Sequence, residues 1–155
     1  MPLPENWNGV FYGPGLMDDC LIDWEPARYV AMLDDHCEGD LAGFIFLIGG
    51  AYLDLSLHNM RERAEEILKE AERRHTNVPW NFFRTRTPGL LQSIRTLGPG
   101  NRALLATALR ARMNVAASTI AQGVTRLNAT SGSEREAIAA QLTKLNEAKP
   151  AVRGN

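Results

Sequence analysis

Glu72 and His75 stand three residues apart, the spacing at which one turn of helix can offer a carboxylate and an imidazole to the same metal ion. A di-iron centre needs that pair twice, with two further inward glutamates, and the chain has no second Glu-x-x-His. Asp54 and His58 are also one turn apart. His36 and Cys37 are neighbours, but adjacent side chains on a helix diverge by about 100°, so spacing does not make them a nucleophile and its base. From Asp34 to Asp40 the acids resemble the start of a calcium loop with Gly39 sixth, yet the twelfth position is Ile45 rather than a carboxylate. There is no phosphate-binding glycine loop, no dinucleotide fingerprint and no Ser-His-Asp arrangement. These residues point to a non-enzymatic protein that uses no metal and no cofactor.

Charge carries a stronger signal. The net charge of −1 hides a segregation along the chain. Residues 1–72 hold 15 acids against Arg28, Arg61, Arg63 and Lys69, whereas residues 73–133 hold nine arginines and no Asp, Glu or Lys. Arginine's planar fork suits phosphate and carboxylate alike, so Arg84, Arg86, Arg95, Arg102, Arg110, Arg112 and Arg126 are candidates for a basic binding surface. The acids Asp18, Asp19, Asp23, Asp34, Asp35 and Glu38 are candidates for an acidic one. Two readings stand side by side. The basic half binds an external partner, or it docks on the acidic half within one fold or one dimer. The acidic run is also readable as a solvated helix face and loop.

A chain of 155 residues that is 45% hydrophobic and 23% charged is one ordinary globular domain. Two cysteines, Cys20 and Cys37, are too few for a disulfide framework and are expected to be unjoined. The start of the chain has neither a basic region nor an apolar run, so a signal peptide is not expected. Leu41 to Leu53 is apolar but far short of the roughly 20 residues a membrane span needs. The expectation is a cytoplasmic protein without a membrane segment.

The elements that must position these groups are helical. The expected fold is all-α, a bundle of about five helices with two long antiparallel ones, over residues 26–148. Residues 1–25, rich in Pro, Gly and aromatics, are expected to form an ordered N-terminal arm, and 149–155 a loose tail. Pro26 suits the first position of a helix, Gly39 stops it, and Asp40 can cap the next. In that next helix Phe46, Gly50, Leu53, Leu57, Met60, Ala64, Ile67 and Ala71 step by four and three, which predicts one continuous seam. Gly49-Gly50 marks a kink or a close approach of another backbone. An aromatic plug of Trp80, Phe82 and Phe83 follows, and Thr87-Pro88 is expected to open a short helix that Gly98-Pro99-Gly100 ends. Leu105, Leu109, Met113, Ala116, Ile120, Gly123 and Leu127 line a second long segment. Ser133 with Glu136 reads as a capping box opening the last helix.

Residues 109–124 resemble a helix-turn-helix. Leu109 and Met113 match the apolar pair of its first helix, Asn114 and Val115 the turn, and Ile120 and Val124 the anchors of a recognition helix. The resemblance implies that Ala117, Ser118, Gln122 and Arg126 face a DNA major groove. The sequence departs from the pattern where Arg110 replaces a small residue, and the next element is a helix rather than a wing. The same residues also read as one unbroken helix. The function expected is a small interaction or regulatory protein whose partner is another protein or a second copy of itself. A DNA-binding regulator is the alternative.

Overall fold

The computed structural model describes residues 23–97 and 99–147. It is all-α: six helices, and no strand among the described residues. No helix among them is long and apolar enough to cross a membrane. The expected arm falls almost wholly, and the tail wholly, on residues outside the described ones, as do Asp18, Asp19 and Cys20.

Helix α1 spans Pro26–Cys37, with the proline at its first turn, and buries Tyr29, Val30, Met32 and Leu33. It ends where Glu38 and Gly39 adopt left-handed φ values of 50° and 89°. Helix α2, Leu41–Leu57, starts with the Asp40 carboxylate accepting the Gly43 N–H at 3.1 Å. It is apolar nearly all round, and correspondingly it packs on four other helices.

The single long helix expected through Ala71 is two helices, which makes six rather than five among the described residues. Helix α3 is Arg61–Arg74 and packs against α2. The break is a local hydrogen-bonding device. Asn59 takes a left-handed φ of 63°, its N–H bonds to the Ser56 carbonyl at 3.1 Å, and the Met60 N–H bonds to the Leu55 carbonyl at 2.8 Å. This pair of bonds closes a helix C-terminus, and asparagine tolerates the left-handed residue it requires. The seam is therefore bent back on itself. Ala64, Ile67 and Ala71 are buried, while Leu57 and Met60 are half-buried at the turn.

Helix α4 spans Asn81–Arg95, so the aromatic plug forms its first turn and Pro88 lies inside it rather than opening it. Pro88 has no N–H for the Arg84 carbonyl. Just before it, Thr85 and Thr87 donate their hydroxyls to the carbonyls of Phe82 (2.8 Å) and Phe83 (2.7 Å). The Asn146 side chain accepts the Asn81 N–H at 3.0 Å. Trp80 donates its indole N–H to the His75 carbonyl at 2.9 Å and packs edge-on to Phe44. Phe83 fills the space above Gly49, so the close approach at that glycine is by a ring, not a backbone, and α2 runs through without interruption.

Helix α5, Pro99–Ala129, is continuous. Asn114 and Val115 are helical, so the turn that the helix-turn-helix resemblance places there is absent, and Ala117 is buried rather than presented outward. Leu109, Met113, Ile120, Val124 and Leu127 are buried. Helix α6 is Ser133–Glu147, and it packs Leu142 over Gly123. The Glu136 N–H bonds to the Gly132 carbonyl, so the helix begins one residue earlier than a Ser133 capping box would place it.

Candidate binding groove between helices α4 and α5

The charged residues sort themselves by partner. Arg84, half-buried, forks between two acids of α3. Its Nε donates to Glu65 at 2.9 Å, and its two terminal nitrogens donate to Glu72 at 2.8 and 2.9 Å. Glu65 and Glu72 are seven residues apart and so share a face of α3. The bonds to Glu72, outweighing partial burial, raise the Arg84 guanidinium further above its already high value. Burial opposes ionisation of Glu65, but the Tyr52 hydroxyl, 2.6 Å away, and Arg84 hold it below the usual carboxylate range. Burial and Glu65 together push Tyr52 up to about 12.

Arg74 and His75 both reach Asp34 of α1, at 3.0 and 3.1 Å. Arg73 pairs with Glu70, and Arg126 with Glu134 at 2.9 Å. Arg95 donates through Nη2 to the Ser56 and Leu57 carbonyls that end α2, and to the Asn59 side chain. Acids of residues 1–72 thus do engage arginines beyond position 72, at Arg73, Arg74 and Arg84. Glu72 and His75, the candidate metal pair, have separate partners. Asp23, Asp35 and Glu38 are exposed, and Asp34 is half-buried. The side chains of Arg102 and Arg110 lie outside the described residues.

Arg86 and Arg112 differ from the other described arginines of residues 73–133, each of which has a carboxylate or carbonyl partner. Both are exposed, and neither makes an ion pair among the described residues. Arg86 lies with its guanidinium carbon 5.1 Å from the centre of the Phe82 ring. Together they line a groove of about 600 Å³ between α4 and α5, whose apolar walls include Phe82, Leu90, Leu109 and Met113. No carboxylate lines it among the described residues. Gly89 also lines it and has nothing within 4 Å of where a Cβ would stand. The wall hydroxyls of Thr85 and Thr87 are already spent on backbone carbonyls. What the groove offers is therefore apolar contact plus two guanidiniums with donors to spare, a combination that suits an apolar ligand carrying negative charge.

One site was not legible as such in the sequence. Asp54 is 1% exposed, and both its carboxylate oxygens lack a hydrogen-bond partner among the described residues. Burial pushes its carboxyl up to about 8. His58 lies beside it, with Nδ1 2.8 Å from the Asp54 carbonyl and 3.6 Å from Oδ1. Cys37 is half-buried and free, and burial, Asp40 and Asp34 push its thiol up to about 11. Comparison of the chain with protein-family models, with curated proteins and with solved structures finds no match.

Proposed function

We propose that this chain is a small interaction protein whose α4–α5 groove takes an acidic, amphipathic segment of a protein partner. One observation carries the reading. Arg86 and Arg112 flank an apolar groove with no acid among its described lining residues, while Arg74 and Arg84 are paired with acids of the same chain. A groove of this kind receives the apolar face of a helix, and the two arginines meet carboxylates along its edge. Val115, 65% exposed and three residues beyond Arg112, extends the apolar surface along α5. A second copy of the chain would bring its acidic residues Asp35 and Glu38 to the same groove, so self-association is the variant in which the partner is the protein itself. The DNA-binding alternative draws no support from α5, which has no turn at Asn114.

The test uses a designed helical peptide with a leucine face and glutamate flanks, and a control with the glutamates replaced by lysine. Titrated into the isotopically labelled protein, the acidic peptide should shift the amides of Leu90, Leu109 and Met113 and the lysine control should not. Arg86→Glu with Arg112→Glu should reverse that preference. Equal response to both peptides, or salt-sensitive binding to duplex DNA in place of the peptide, would overturn the proposal.

A further inference from the structure

A second cavity, on the other side of α4, has a different chemistry. It holds about 450 Å³ between the α2–α3 turn and α4, and its walls include Ser56, Asn59, Arg61, Leu91 and Arg95. We infer that it binds a small phosphorylated ligand, a phosphate monoester, through Arg61, Arg95 and the Ser56 hydroxyl.

Ser56 is the observation that singles the cavity out. It is 7% exposed, and its hydroxyl has no hydrogen-bond partner among the described residues. A buried hydroxyl left unpaired costs stability, and the ordinary remedy in a helix, a bond back to a carbonyl one turn earlier, is not made here. Its neighbour Asn59 holds a left-handed backbone at the cavity wall.

The charge around that hydroxyl is positive. Arg61 is exposed, makes no ion pair among the described residues, and is the first residue of α3. The preceding residue, Met60, supplies no side-chain cap, so the first-turn N–H groups of α3 are not satisfied by one. The end of α2 carries the opposite partial charge, but Arg95 already covers the Ser56 and Leu57 carbonyls. It does so through Nη2 at 3.3 to 3.4 Å, longer than a normal N–H···O bond, which leaves Nη1 and Nε for a ligand. No carboxylate lines the cavity among the described residues. Two guanidiniums, a hydroxyl and an amide supply more donors than a single carboxylate accepts, and they match the oxygens of a phosphate. Leu91, Pro88 and Tyr52 line the remaining wall and would hold the organic part of an ester.

The test is titration of the labelled protein with inorganic phosphate and with phenyl phosphate, at ionic strength matched by chloride. Saturable shifts are expected at Ser56, Asn59 and Arg95, with phenyl phosphate the tighter of the two. Arg61→Gln should weaken both by about tenfold, the loss of one charge-assisted contact. Ser56→Ala should weaken them several-fold. Arg112→Gln, in the other groove, should leave them unchanged. Arg61 holds nothing else together, so its variant keeps the test valid even if a change at Arg95 unfolds the turn. Absence of saturation, indifference to both Arg61→Gln and Ser56→Ala, or sensitivity to Arg112→Gln would overturn the site. Equal affinity for the two probes would overturn the monoester assignment.

Discussion

The ring of Phe83 lies so close to the backbone of Gly49 that a Cβ placed there would be 2.4 Å from Cε1. Phe83 is 2% exposed and is held by Trp80 and Phe82, so it has no room to retreat. Gly49→Ala gains up to about 1 kcal/mol of helix propensity but must displace a locked ring, and overpacking of that kind costs about 1–3 kcal/mol or more. The expected result is a net loss of stability. Gly89→Ala, in the open groove, meets no atom and should gain up to about 1 kcal/mol. Thermal melts of the two variants should move in opposite directions, and a rise in both would refute the contact.

Asp54 makes the fold sensitive to pH. Burial raises its carboxyl to about 8 in the folded chain, against 3.8 for an aspartate in water. Between those values the unfolded chain has lost a proton that the folded chain keeps. The contribution of Asp54 to stability should therefore be fully present below about pH 4, be lost as pH rises towards 8, and level off above it. The slope expected in that window is on the order of 1 kcal/mol per pH unit. Asp54→Asn removes the charge at constant shape, so it should flatten the slope and melt higher than the parent at pH 8. Urea unfolding of both proteins at pH 5 and pH 8 measures this, and parallel pH dependence would refute it.

Arg84 belongs to the structure, and Arg86, two residues on, does not. Arg84→Ala leaves Glu65 and Glu72 side by side without their shared cation, which should cost about 1–3 kcal/mol. Arg86→Glu and Arg112→Glu, both exposed, should change stability by no more than about 0.5 kcal/mol. A variant that reverses Arg84 together with Arg86 and Arg112 therefore confounds unfolding with lost binding, and the double variant at Arg86 and Arg112 separates them. Chemical denaturation of Arg84→Ala and of the double variant is the check.

The turn at 58–60 divides what would otherwise be one seam into unequal parts. Ile67 is fully buried and Leu57 only half so. Ile67→Ala should cost about 2–5 kcal/mol. Leu57→Ala should cost clearly less, because its side chain already meets water at the end of α2. Equal losses in denaturant titration would indicate that the seam continues straight through the turn.

Much of the helical layout was legible because its signals are local. Pro26 at a first turn, Gly39 after α1 and Asp40 bonded to Gly43 act within four residues of themselves, and each stands where the sequence places it. The apolar steps of α5 hold for the same reason, since a helical period is a property of one segment. Where local signals competed, packing decided. The three-and-four spacing from Phe46 to Ala71 survives a three-residue turn unchanged, so periodicity could not reveal the break at Asn59. Thr87-Pro88 locally favours a helix start, and the burial of Phe83 against Gly49 overrides that preference and draws the helix back to Asn81. The charge pattern along the chain showed that nine arginines lack local acids. Which of them are neutralised depends on α3 and α4 both packing on α2, which puts Glu65 and Glu72 within reach of the Arg84 side chain while leaving Arg86 and Arg112 over a groove. A residue's type and period are written in its own segment, but its partner is set by an element distant in sequence, and no local pattern encodes that distance.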